Sequence, residues 1–78
     1  DHRDLHSFPT RRSSDLSIRM LAEGAGERLQ KGGWLLMEHG WNQGAAVRQI
    51  LLDKGFTEVG TEQDLAGLDR LTLGRWLG

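Results

Sequence analysis

The sequence predicts an α/β fold in the order helix, strand, helix, strand, strand, with the last strand antiparallel. Three observations predict it. Apolar residues recur at helical spacing in two stretches, Ile18 to Leu29 and Ala46 to Leu51. Between them the run Trp34-Leu35-Leu36-Met37 is apolar throughout. After Gly55, two strand-like stretches are joined by a short polar turn, and a connection that short pairs strands antiparallel.

The first helix carries Ile18, Leu21, Ala22, Ala25 and Leu29 on one face, with Arg19, Glu23, Glu27 and Arg28 mostly off it. Ser14, Asp15 and Ser17 are each able to cap its start. Gly24 and Gly26 each weaken the helix by up to about 1 kcal/mol relative to alanine, so it depends on packing against a sheet. Lys31-Gly32-Gly33 then breaks the chain. The run from Trp34 to Met37 has no polar side, which predicts a strand buried on both faces, as in a parallel sheet.

Asn42 is the expected N-cap of the second helix. Its buried stripe is Ala46, Val47, Ile50 and Leu51, with Arg48, Gln49 and Asp53 toward water. Gly55 stands where a left-handed residue ends a helix, and Phe56 is placed to fold back onto Leu51. The next strand runs from Phe56 to about Glu62, with Thr57, Val59 and Thr61 expected on one face and Glu58 and Gly60 on the other. Strand, helix and strand from Trp34 to Glu62 form a unit whose crossover is expected to be right-handed. Asp64 to Asp69, with Gly67, is a polar turn, and Arg70 to Trp76 closes the fold with Leu71 and Leu73 facing one way.

A chain of 78 residues holds at most one small domain. Cysteine is absent, so no disulfide or thiolate metal site forms, which fits a reducing, cytoplasmic location. The net charge is −1, with acids and bases interspersed and no basic stripe, so direct nucleic-acid binding is not expected. No apolar run approaches the roughly 20 residues that span a bilayer, and the N-terminus lacks the apolar segment of a signal peptide. A membrane partner is therefore not expected.

Residues 1–16 read differently from the rest. They hold the only proline, Pro9, and show no helical or strand period. The run from His6 to Leu16 looks like a short-read sequencing adapter translated in one frame. The expectation is that 1–16 is a non-native segment and that 17–78 is the domain. His2 and His6 at helical spacing would then be no metal pair, since a third ligand is also lacking. Arg11-Arg12-Ser13-Ser14 would be neither a kinase substrate nor a phosphate patch.

Four segments carry a family resemblance. Gly32-Gly33-Trp34-Leu35-Leu36-Met37-Glu38-His39-Gly40-Trp41 resembles a strand of the release-factor glutamine methyltransferase family, also called PrmC or HemK, which commonly runs G-G-W-L-L-L-E-H-G. Gln43-Gly44-Ala45-Ala46-Val47-Arg48 is similar to its Q-G-E-A-V-R helix start. Asp64-Leu65-Ala66-Gly67-Leu68-Asp69-Arg70 and Leu71-Thr72-Leu73-Gly74-Arg75 resemble its D-L-A-G-x-D-R and V-T-L-G-R endings. The segments keep the family's order and spacing and cover Ser17 to about Trp76.

The resemblance implies the C-terminal part of a class I methyltransferase domain, a Rossmann-like sheet whose last strand inserts antiparallel beside its neighbours. It implies S-adenosylmethionine as cofactor and bacterial peptide chain release factors as partners, methylated on the side-chain amide of the glutamine in a Gly-Gly-Gln loop. An amide nitrogen is a poor nucleophile, and the family answers by positioning it with an Asn-Pro-Pro-Tyr motif. That motif is absent here, as is the glycine-rich cofactor loop with its following acidic residue. Gly24-Ala25-Gly26 is no substitute, because it lies inside a helical pattern. No catalytic, cofactor-binding or metal-binding residue is carried over, and the chain alone is expected to be inactive.

Glu38 and His39 are the polar pair at the carboxyl end of the buried strand, where open α/β sheets place ligands, so they are the candidate crevice-lining residues. The plainer reading is that they satisfy backbone groups in the turn before Asn42. Trp34 is expected in the core, and Trp41 partly exposed beside the crevice. Arg70 and Arg75 look like a solvated sheet face. The alternatives are a sibling glutamine or amino methyltransferase acting on a ribosomal protein or nucleic acid, or a stand-alone α/β interaction module. Against the module, the Trp34–Met37 strand needs partners on both faces and both edges.

Overall fold

The computed structural model describes residues 5–11 and 13–78. His2 and Arg12, named in the motifs above, lie outside the described residues. The elements are β1 (Leu5–Pro9), α1 (Asp15–Arg28), β2 (Trp34–Glu38), α2 (Gly44–Asp53), β3 (Phe56–Gln63) and β4 (Asp69–Trp76). The strands form one mixed sheet in the order β1-β2-β4-β3. β4 inserts antiparallel between β2 and β3, and β1 runs parallel to β2. This is the expected α/β order with one strand added at the front, a partial Rossmann-like arrangement.

The added strand forms although residues 1–16 show no strand period in sequence. Leu5 to Pro9 pair in register with Trp34 to Glu38. The physical reason is that the outer edge of β2 offers a row of unpaired N–H and C=O groups, and backbone pairing asks little of side-chain pattern. Just beyond β1, the Thr10 backbone N–H and Oγ1 both donate to the Glu38 carbonyl.

Of the three candidate caps for α1, Ser14 takes the position. Its Oγ accepts from the Ser17 backbone N–H at 3.2 Å. Ile18, Ala22, Ala25 and Leu29 are buried as the periodicity predicts. They join Leu35, Met37, Val47, Ile50, Leu51 and Phe56 in one core, so both helices pack on one face of the sheet. Arg19–Asp53 and Lys54–Glu23 ion pairs, at 3.4 and 3.5 Å, rim the contact between the helices. Such exposed pairs contribute little, a few tenths of a kcal/mol to about 1 kcal/mol each.

The two-sided burial expected of β2 is not what the chain achieves. Leu35 and Met37 are fully buried against the helices, while Trp34 and Leu36 are only half-buried. With Leu5 and Leu73 they line an open groove of about 320 Å³ on the opposite face. Trp34 is therefore a residue of the uncovered face, not of the core, with the Arg75 guanidinium 5.8 Å from its ring centroid. Arg75 also reaches Glu58 at 3.2 Å, so it sits on the apolar face beside Leu73.

Two local corrections follow from backbone detail. Gln43, not Asn42, is the N-cap of α2, and it makes no side-chain cap bond because its amide is used elsewhere. The first helical residue, Gly44, packs so closely that a methyl there would meet Asp69 Oδ2 at 2.5 Å. A carboxylate at a helix N-terminus is favourable toward the unpaired N–H groups there. In β3, Glu58 has φ 51° and the register shifts between Thr57 and Gly60. This bulge puts Thr57 opposite Arg75 but Thr61 opposite Thr72, so the two threonines do not share a face as simple alternation predicts.

The C-terminus of α2 follows expectation. Gly55 has φ 94°, the left-handed region that glycine enters without penalty, and Phe56 turns back into the core beside Leu51. Trp76 then covers Phe56, with ring centroids 5.0 Å apart.

Asp64 organises the β3–β4 turn. Its Oδ1 accepts from the backbone N–H of Ala66 and Leu68 at 2.9 and 3.0 Å, and its Oδ2 accepts from Arg70 Nε at 2.8 Å. Gly67, at φ 80°, lets the turn close inside this ring of bonds. The Leu68 N–H foremost, with Arg70, holds the Asp64 carboxyl below its usual value of 3.8. A depressed carboxylate contributes stability that is present above the unfolded value and lost as pH falls through the folded one. Asp64→Asn should therefore be less stable than wild type near neutral pH, with the two urea midpoints converging as the pH is taken below 3.8. A constant gap across that window would contradict this role.

Candidate functional site

The carboxyl end of β2 brings together the two residues singled out from sequence and sends them opposite ways. Glu38 lies on the uncovered face, half-exposed, with Arg11 Nη2 3.5 Å from its carboxylate. His39 is 0% exposed and lies under the helix layer. Its backbone N–H donates to the Arg70 carbonyl at 2.8 Å, which ties the strand end to β4.

The His39 ring joins a buried polar row. Nδ1 is 2.8 Å from the Gly40 carbonyl oxygen, and Nε2 is 2.7 Å from Thr72 Oγ1. Thr72 Oγ1 is 2.7 Å from Thr61 Oγ1, which accepts from Arg48 Nη1 at 2.8 Å. Four elements or their ends thus contribute one side chain each: α2, β3, β4 and the end of β2. Among the described residues, every buried side-chain polar atom has a partner. Unpaired, any of these groups would cost about 1–3 kcal/mol.

Beyond His39 the chain turns tightly. The Gln43 backbone N–H donates to the Gly40 carbonyl at 3.0 Å, and the Gly40 N–H donates to Gln43 Oε1 at 2.8 Å. Gln43 Nε2 donates in turn to the Ser13 carbonyl at 3.1 Å. The turn pushes Trp41, 61% exposed, and the exposed Asn42 outward. Arg48, Thr61 and Thr72 were not singled out by sequence. The one signal was Thr72, a hydroxyl between Leu71 and Leu73.

Gly24-Ala25-Gly26 does not have the setting of a loop that cradles a nucleotide-like cofactor. It is inside α1, and the Ala25 carbonyl is already bonded to the Leu29 N–H. A nucleotide-binding glycine loop instead leaves its N–H groups free, between a strand and a helix start. Besides the open groove, a cavity of about 150 Å³ lies between β1 and α1, lined by His6, Phe8, Leu21 and Arg28 among others. Neither cavity includes Glu38 or His39. Among the described residues no three of His, Cys, Asp and Glu gather as a metal site, and no helix is long and apolar enough to cross a membrane.

No family model matches the chain. Curated relatives do. A release factor glutamine methyltransferase of Neisseria gonorrhoeae is 58% identical over 60 residues, covering 77% of this chain and 22% of the relative. One from Xylella fastidiosa is 53% identical over 62 residues, covering 80% and 22%, and one from Vibrio cholerae is 54% identical over 59 residues, covering 76% and 21%. The matched part of this chain belongs to the release factor glutamine methyltransferase family. The chain spans about 22% of the length of the relatives it matches.

The fold gives the resembling segments physical reasons. In the release factor glutamine methyltransferase run ending Glu38-His39-Gly40, the histidine is a buried link between two strands, and the glycine carbonyl receives it. In Asp64-Leu65-Ala66-Gly67-Leu68-Asp69-Arg70, the first aspartate and the last arginine close the hairpin turn. Gly74 in the last segment lies where a methyl would meet Phe56 Cβ at 3.1 Å and Leu51 Cδ1 at 3.2 Å, so any side chain there would crowd the packing of β4 under α2.

Proposed function

We propose that residues 17–78 are the C-terminal part of the catalytic domain of an S-adenosylmethionine-dependent protein methyltransferase. Its acceptor is the side-chain amide of the glutamine in the Gly-Gly-Gln loop of peptide chain release factors. The observation that carries this reading is identity above half to three relatives of that name. The sheet adds support, because β4 inserts antiparallel between β2 and β3 as the resemblance implies. Cytoplasmic location follows from that substrate.

In this reading residues 1–16 are a non-native segment. β1 is compatible with this, since it is held largely by backbone pairing to a strand edge. Residues 17–78 do no chemistry alone. They supply the closing strands and α2, while the cofactor loop and the amide-gripping motif belong to sequence outside this chain. In this reading Glu38, of the expected pair Glu38 and His39, borders a substrate crevice at the strand ends, with the exposed Trp41 beside it. His39 acts from beneath them.

The test has two arms. A longer protein ending in residues 17–78 is assayed for methyl transfer to release factor and to ribosomal protein, with the modified glutamine located by mass spectrometry. Transfer to the Gly-Gly-Gln glutamine is expected, and transfer to the ribosomal protein alone would replace the acceptor. The 78-residue chain is titrated with S-adenosylmethionine by calorimetry, and no binding is expected. Tight binding by the chain alone would favour a self-sufficient module.

A further inference from the structure

We infer that His39 is a positioning residue. A one-way hydrogen-bond chain from Arg48 sets its tautomer and through it fixes the turn that presents Trp41 and Asn42. The inference rests on the buried row itself and does not depend on the methyltransferase reading.

The direction of the chain follows from donor and acceptor counts. A backbone carbonyl only accepts, so the hydrogen facing Gly40 must be on His39 Nδ1. A guanidinium only donates, so Thr61 Oγ1 receives Arg48. With the ring hydrogen on Nδ1, Nε2 is an acceptor and takes the Thr72 hydroxyl hydrogen. Thr72 has no second hydrogen, so Thr61 donates to Thr72. Every hydrogen then has an acceptor, in the order Arg48, Thr61, Thr72, His39, Gly40. If Nε2 also carried a hydrogen, Thr72 would have to donate to Thr61. Thr61 Oγ1 would then face two donors, and none of these groups would receive its own hydrogen.

The end of the row matters because the Gly40 carbonyl is shared. It accepts from His39 Nδ1 and from the Gln43 backbone N–H. These two bonds hold both ends of the turn at the carboxyl end of β2, in front of the first turn of α2. The row therefore connects the inside of the sheet to an exposed tryptophan. Bonds aligned in one direction polarise one another, which stiffens the row beyond its separate members.

The experiment uses the 78-residue chain labelled with ¹⁵N. Long-range proton–nitrogen correlation spectra of the His39 ring should show hydrogen on Nδ1 and a bare, hydrogen-bonded Nε2. Thr72→Val removes the donor to Nε2, and exchange of the Nδ1 hydrogen and of the Gln43 amide should speed up by about tenfold, the scale of one lost buried hydrogen bond. Thr72→Ser keeps the hydroxyl and should restore slow exchange. Thr61→Val, at a half-buried position where folding is less at stake, should move the Nε2 resonance without touching the ring. A hydrogen on Nε2 in the wild-type chain would overturn the inference. So would unchanged Nε2 and exchange signals in the valine variants, or failure of the serine variant to rescue.

Discussion

Leu35→Ala should lower the stability of this chain by about 2–5 kcal/mol, while Leu36→Ala should cost roughly 1 kcal/mol or less. The residues are adjacent and chemically identical, so the contrast isolates the two faces of β2. Leu35 is 0% exposed and sits among Ile18, Ala22, Val47 and Leu51 in the core, where close-packed neighbours do not collapse into the hole left by a truncation. Leu36 borders the open groove, where water already reaches it and no cavity forms. A domain of this size has about 4–12 kcal/mol in total, by the usual stability per residue. Leu35→Ala thus removes a large fraction of it. Urea midpoints of the two variants at one protein concentration decide the matter. Equal losses would mean that Leu36 is covered in solution, and the one-sided packing of the sheet would be wrong.

That contrast also shows what was legible in the sequence. The apolar run from Trp34 to Met37 states what environment the strand suits: burial on both faces. It does not state which layers this chain supplies. Both helices fall on the Leu35 side, so the other half of the pattern goes unused here. The helices themselves were legible because a 3.6-residue period survives any tertiary context. The end of α2 was legible because Gly55 is required at a left-handed position. The bulge at Glu58 left no such mark, since a non-glycine residue at positive φ carries no compositional flag, and it moved Thr57 away from Thr61.

The site was half legible for a related reason. Glu38 and His39 stand out as polar residues at the end of an apolar strand. That one would be exposed and the other sealed follows from their facing opposite sides of the sheet, which alternation does predict once the helix layer is known. The row through Arg48, Thr61 and Thr72 was not legible. Its members are scattered over three elements, and each looks ordinary alone. Arg48 reads as a solvent-facing helix residue, and only the register of β3 against β4 puts Thr61 over Thr72.

Removing residues 1–12 should convert β2 into an edge strand, with a loss of roughly 2–4 kcal/mol and self-association as the visible result. The loss has identifiable parts. Thr10 gives two hydrogen bonds to the Glu38 carbonyl, and Phe8 packs against the core beside Met37. The backbone groups of β2 that β1 had paired are then offered to any other strand, flanked by the apolar groove of Trp34, Leu36 and Leu73. Amide exchange at Leu36 and Glu38, whose backbone groups face β1, should rise while Leu35 and Met37 stay paired to β4, and sedimentation should show association that grows with concentration. Ser13 and Ser14 are kept in this deletion, so the α1 cap and the Gln43 contact remain and do not confuse the result. A second variant sharpens the point. Replacing Leu5–Pro9 with an unrelated β-prone sequence of equal length that keeps an apolar residue at position 8 should restore most of the protection, because the edge of β2 pairs chiefly with an extended backbone. If only the original five residues restore it, their side chains are specifically fitted to this sheet, and the proposal that residues 1–16 are foreign to the domain fails.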